Sequence, residues 1–250
     1  MTISLPHALV TGGATGIGRA IALALAEAGV EVTICGRRAG PLEAVAARHP
    51  RIHAMTADVT DEASVETLYR EAEALRGPIE IVVANAGIAS SAPAHRTMLA
   101  EWSRIIDVNL TGAFLTVRPA LAGMAERKRG RIVFIASVAG LRGSAYVAPY
   151  VASKHGVVGL MRALAAELLK TGVTVNAICP GYVETEMLEE SIARVMEKTG
   201  RSEPEARAGF AAFNPNHRLI QPEEVAAAVL WLASDAAISV TGQPVAISGG

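Results

Sequence analysis

Charge is scarce in this chain, and cysteine scarcer. Charged residues make up 19% of the 250, and the formal net charge is −1 with no basic block. Proteins that grip nucleic acid neutralise phosphates with clustered lysine and arginine, so no nucleic-acid partner is expected. With 51% hydrophobic residues there is material for a large core and no case for disorder. The two cysteines, Cys35 and Cys179, lie far apart in apolar strand-like runs. They read as buried reduced thiols, with no support for a disulfide scaffold or a cysteine-rich metal site. The histidines (His7, His49, His53, His95, His155 and His217) show no ligand spacing, so no metal is expected. Apolar runs are short and interrupted, so no membrane span is expected. Met1 to Leu9 lack the basic start and apolar stretch of a secretory signal, which favours a cytoplasmic protein. A nucleoside-triphosphate loop, G-x-x-x-x-G-K-[ST], is absent. So is the G-x-S-x-G turn of serine hydrolases.

What is present is strand then helix, repeated. Strands are expected at His7–Thr11, Glu31–Cys35, Ile52–Ala57, Ile79–Ala84, Arg131–Ala136, Val173–Cys179 and Pro244–Ile247. Helices are expected at Gly16–Ala28, Gly40–Arg48, Asp61–Leu75, Leu99–Ala125, Tyr150–Lys170 and Pro222–Ser234. Such alternation implies a doubly wound α/β fold of Rossmann type: a parallel sheet of about seven strands with helices on both faces. No linker divides the chain, so one domain over residues 1–250 is expected. One stretch breaks the rhythm. About forty residues, roughly 182–221, hold helical patches at Met187–Thr199 and Glu203–Phe213 and a turn-rich piece at Asn214–Arg218. A connection that long reads as a substrate-recognition insertion.

The first strand runs into Thr11-Gly12-Gly13-Ala14-Thr15-Gly16-Ile17-Gly18, and a helix follows at once. A pyrophosphate needs backbone N–H groups and the positive end of a helix, with no side chains in the way. Gly12, Thr15, Gly16, Ile17 and Gly18 are therefore dinucleotide-binding candidates. Further on, Tyr150 and Lys154 lie four apart on a helix, hence on one face. A free phenol titrates near pH 10, and a neighbouring ammonium favours its phenolate. The pair suits acid–base chemistry near neutrality.

The T-G-x-x-x-G-x-G spacing, the Asn85-Ala86-Gly87 that ends strand four and the Tyr150…Lys154 pair resemble the short-chain dehydrogenase/reductase family along nearly the whole chain. The resemblance implies an NAD(P)-dependent oxidoreductase that interconverts a ketone and a secondary alcohol. It implies Tyr150 as acid/base, with Lys154 lowering its pKa and binding the nicotinamide ribose. Ser137 orients the substrate oxygen, and Asn109 joins a water-mediated relay with the lysine. Asp58 and Val59 receive the adenine, Asn85, Ala86 and Gly87 face the cofactor, and Pro180, Gly181, Val183 and Thr185 lie by the nicotinamide carboxamide. Gly36 stands where an acidic ribose selector would end strand two, and Arg37 follows, which favours NADP(H) over NAD(H). His155 reads as a helix residue facing away. Tyr146 and Tyr182 are expected beside the substrate. Tyr150–Gly159 and Ile178–Met187 are similar to ketoreductases of β-ketoacyl and polyketide synthesis, and Asn214–Glu223 to 3-hydroxyacyl-CoA and 3-hydroxybutyrate dehydrogenases. The expected substrate is thus a 3-oxoacyl or 3-hydroxyacyl thioester or acid. Another small alcohol, sugar or cyclic ketone is the alternative, and a non-catalytic dinucleotide binder the second. A homotetramer, built through the helices at Leu99–Ala125 and Tyr150–Lys170, is expected.

Overall fold

Strand β1 (His7–Thr11) is buried at every residue, as it must be when helices cover both faces of its sheet. The computed structural model describes residues 2–250. In it, β1 pairs in parallel with β2 (Glu31–Gly36) on one side and β4 (Ile81–Ala84) on the other. β3 (Ile52–Thr56) extends the β2 side. β5 (Gly130–Ile135), β6 (Val173–Pro180) and β7 (Pro244–Ile247) extend the other, giving the order β3-β2-β1-β4-β5-β6-β7. This is the doubly wound Rossmann-type sheet that the alternation implied. Strand order reverses between β1 and β4, and ligands bind at the carboxyl ends beside such a reversal.

Alternate residues of β1 feed two cores. Leu9 belongs to one, with Val65, Leu68, Val117, Met124 and Met161. These come from α3 (Glu62–Arg76), α5 (Gly112–Arg127) and α6 (Ala148–Glu167). Ala8 and Val10 belong to the other, with Ile21, Leu25, Leu42, Val225 and Val229. These come from α1 (Gly16–Glu27), α2 (Ala39–Ala46) and α9 (Pro222–Ala233). Within the insertion, α7 (Glu186–Thr199) and α8 (Glu203–Ala211) bury Leu188, Ile192 and Ala206 in a small third core.

The run expected as one helix from Leu99 is α4 (Leu99–Ile106), a π-helical turn (Asp107–Thr111) and α5. This continuous stretch, Leu99–Arg127, is long and apolar enough to cross a membrane by length and composition. Here the stretch is a core helix, with Ile105, Asn109, Val117, Ala120 and Met124 all buried. Helix α6 starts at Ala148, two residues before Tyr150, because Pro149 in the first turn needs no backbone N–H partner.

His7 opens β1 fully buried, its ring bonded to Gly77 O and Thr33 Oγ1, both at 2.9 Å. Burial pushes its pKa below the ordinary value, helped by Arg76 and His53 and opposed by the Gly77 bond and Glu73. The unfolded chain then binds the extra proton first. His7 stabilises fully above its unfolded pKa of about 6.5, and stability falls by up to about 1.4 kcal/mol per pH unit below it. Urea melts at pH 7.5 and 5.5 should show this loss, and His7→Gln should flatten it. An unchanged slope in the variant would refute the assignment.

Candidate active site

At the end of β1 the backbone turns through Gly12 (φ 65°) and Gly16 (φ 48°), both in the left-handed region that favours glycine. Gly18 is also required by packing: a Cβ there would clash with Gly12 O. Thr15 precedes α1 without capping it, so no side chain claims the N–H groups of the first turn. The turn is tied to the end of β4. Thr11 Oγ1 accepts from the N–H groups of Asn85 and Ala86, each at 3.1 Å, and Asn85 Nδ2 donates to Thr11 O at 2.8 Å. Beyond β2, Arg37 and Arg38 are exposed. Asp58, past β3, accepts from Thr60 N–H at 2.9 Å and Thr60 Oγ at 2.7 Å. Those bonds and the Arg37 charge hold its carboxyl below the usual range. Buried Val59 packs where a Cβ on Gly112 would be 2.9 Å away. An uncapped helix start, a side-chain-free turn and an exposed arginine along one line of strand ends fit a dinucleotide.

The second half of the site gathers past β5 and β6. Lys154 is buried, and its ammonium donates to Ile135 O at 2.8 Å. It lies 5.7 Å from the centroid of the Tyr150 ring. Ser137 Oγ accepts from Ala139 N–H at 3.1 Å and donates to Pro180 O at 3.5 Å. Burial lowers the Lys154 pKa to about 8. Burial also raises the Tyr150 pKa, against the Ser137 hydroxyl, with Tyr182 and Cys179 adding to the rise. The expectation that Lys154 depresses Tyr150 is therefore corrected for this cleft. The ammonium is turned to the Ile135 carbonyl, and loss of hydration dominates at the phenol.

Asn109 sits in the π-helical turn, fully buried. Its Oδ1 accepts from Ile88 N–H at 2.8 Å, and its Nδ2 donates to Ile88 O and Ser153 Oγ, both at 3.0 Å. Ser153 Oγ passes the link on to Tyr150 O at 2.8 Å. A Cβ on Gly87 would lie 3.3 Å from Asn109 Oδ1 and 3.6 Å from Lys154 Nζ, so this glycine lies between the two side chains. His155 points its ring back to Val151 O at 2.9 Å, exposed and off the cleft.

Pro180, Gly181, Tyr182, Val183 and Thr185 lead from β6 into the insertion. Tyr182 stacks on Phe210 and Phe213, with centroids at 5.2 and 5.4 Å. Thr185 caps α7 and lies against the glycine turn, 3.0 Å from a Cβ built on Gly16. Tyr146 stands apart from these groups. It is 66% exposed, with φ 67°, and its carbonyl accepts from Ala92 N–H at 2.8 Å.

Residues 6–195 match the short chain dehydrogenase family. The chain belongs to that family. Like its relatives, this short-chain dehydrogenase is an NAD(P)-dependent oxidoreductase acting on CH–OH groups. It is 38% identical to the granaticin polyketide synthase putative ketoacyl reductase 1 of Streptomyces violaceoruber, covering 100% of this chain and 94% of the relative. It is 40% identical to cis-4-hydroxycyclohexanecarboxylate dehydrogenase of Sinomonas cyclohexanicum, covering 97% and 95%. A crystal structure of an actinorhodin polyketide ketoreductase variant with NADPH superposes with a TM-score of 0.95 at 37% identity, covering 100% and 98%.

Sequence reasoning missed three residues that shape this short-chain dehydrogenase site: Thr11, Ser153 and Asn214. Ser153 had a signal, since it lies three residues past Tyr150 on the same helical face. Thr11 opens the glycine motif and Asn214 a segment of family resemblance, but their partners are distant in sequence, so their bonds were not legible.

Asn109→Ala leaves the Ile88 N–H and carbonyl and the Ser153 hydroxyl without their partner. Unfolding free energy should fall by about 1–3 kcal/mol, and Tm by about 2–4 °C per kcal/mol. Calorimetry checks this; a Tm within 1 °C of the wild type, on the order of its error, would mean the bonds are replaced by water.

Proposed function

We propose that this enzyme interconverts 3-oxoacyl and 3-hydroxyacyl groups, as thioesters or free acids. The reading rests on one observation above others: Tyr150 and Lys154 come together at the carboxyl end of β5, beside the end of β6, where the insertion begins at Tyr182. The names of the granaticin and actinorhodin relatives support it. A second reading, a small cyclic alcohol or ketone, is favoured by the cyclohexanecarboxylate relative. The chain acts as one domain, with about 182–221 as the substrate-recognition segment.

In the proposed mechanism Tyr150 donates its proton to the carbonyl oxygen during reduction and takes one back during oxidation. Ser137 orients that oxygen through its hydroxyl. Lys154 holds positive charge beside the phenol as the proton leaves, and contributes a donor for the nicotinamide ribose. Asn109 joins Lys154 through a bridging water beside Gly87, which carries no side chain between them. When bound, the dinucleotide supplies or accepts the hydride. Gly12, Thr15, Gly16, Ile17 and Gly18 would hold its pyrophosphate, Asp58 and Val59 the adenine, Asn85, Ala86 and Gly87 its inner face, and Pro180, Gly181, Val183 and Thr185 the carboxamide. Arg37 supports NADP(H) over NAD(H), since a guanidinium suits a 2′-phosphate. Exposed Leu99, Trp102 and Phe114 on α4 and α5 support a homotetramer. The cytoplasm is the proposed compartment.

A panel of acetoacetyl-CoA, longer 3-oxoacyl thioesters, cyclic ketones and sugars, each with both cofactors, tests the substrate class. Preference for a cyclic ketone over every acyl thioester would overturn the first reading. Tyr150→Phe should lower kcat by about 10²–10⁴ with dinucleotide binding retained; unchanged turnover would sink the acid–base role. Arg37→Ala should raise the NADPH dissociation constant by about tenfold or more, the worth of a charged hydrogen bond, and leave NADH within about twofold. Equal effects on both cofactors would remove Arg37 as the selector.

A further inference from the structure

Tyr182 leaves the sheet just past β6. Its backbone groups are nevertheless both bonded, and to a side chain. Asn214, 2% exposed in the turn after α8, accepts the Tyr182 N–H on Oδ1 at 2.9 Å. Its Nδ2 donates to Tyr182 O at 3.0 Å and to Arg218 O at 2.7 Å. The amide thus pairs with Tyr182 as a neighbouring strand would. A Cβ on Gly181 would lie 2.3 Å from Asn214 Oδ1, so the approach requires glycine there. The neck of the insertion closes at the same place. Ile220 N–H donates to Tyr182 O, and Glu184 N–H to Ile220 O, both at 2.9 Å. Phe213, the residue before Asn214, stacks on the Tyr182 ring.

We infer that Asn214 is a positioning residue that fixes Tyr182, backbone and ring together, as the substrate-facing wall of the catalytic cleft. The inference rests on the proposed function only in taking Tyr182 as that wall. No smaller or acidic side chain does the same work. Alanine leaves the Tyr182 N–H without its partner and the Tyr182 carbonyl with Ile220 N–H alone. Aspartate keeps the acceptor but sets an oxygen against two carbonyls. Serine is too short to span the gap.

The test combines kinetics on the best ketone of the panel with amide hydrogen exchange. Asn214→Ala should lower kcat/KM at least tenfold, mostly through KM for the ketone. In a Tyr182→Ala background the same change should cost less than twofold, because the group it positions is gone. Exchange at the Tyr182, Glu184 and Ile220 amides should rise at least tenfold while that of β6 stays fixed. Asn214→Asp, which keeps one of the three bonds, should fall between wild type and alanine and serves if the alanine variant does not fold. Equal losses in both backgrounds, or unchanged exchange at the three amides, would overturn the inference. A wild type that turns over no ketone would defeat the functional reading instead, and the exchange measurement would still decide whether Asn214 holds the wall.

Discussion

The Lys154 ammonium donates to the Ile135 carbonyl at 2.8 Å, deep at the carboxyl end of β5, and the cleft is organised around how that charge is kept there. Burying a cation without compensation is costly. Here the compensation is a single carbonyl and the nearby face of Tyr150, 5.7 Å from the ring centroid. It is incomplete, and the lysine pKa falls to about 8. That leaves a cation in place near neutrality, close to its own titration. The α6 backbone fixes Tyr150 relative to Lys154, and Ser153 and Asn109 fix α6 to the loop after β4. Movement in any of these would shift the ammonium away from the phenol it serves.

The two halves of the site are joined in a similar way, by side chains replacing missing strand neighbours. Thr11 and Asn85 tie the glycine turn to the end of β4. Asn214 ties the segment after β6 to the far end of the insertion. Thr185 closes the circuit by lying against Gly16. Parallel sheets need such devices because their strand ends fan outward with open backbone groups. Where the groups are satisfied, the ends become rigid platforms for side chains.

The sheet was legible because each buried strand was a short apolar run followed by a helix with its own period, as in His7–Thr11 and α1. Gly12, Gly16, Tyr150 and Lys154 were legible because their spacing acts locally, within a turn or along one helix face. What could not be read depends on pairing across the chain. Asn214 meets Tyr182 from 32 residues away. Asn109 lies in a π-helical turn that helical periodicity reads as ordinary helix. The direction of the Tyr150 shift was missed for a related reason. Spacing reveals the neighbouring charge, but only packing reveals how far water has been removed.

That shift also bears on the proposed chemistry in both directions. A phenol raised above its ordinary pKa is held neutral, so the proton that reduction needs is present but more tightly held. Oxidation requires the reverse, a phenolate poised to receive a proton, and burial opposes it. The lysine can narrow the gap only by leaving Ile135 O and turning its charge toward the phenol, and the lowered Lys154 pKa limits that help above about pH 8. Ser137 works the other way, favouring the phenolate against the burial that dominates. In the free enzyme the phenol is thus held neutral, and forming its phenolate depends on where the lysine charge stands.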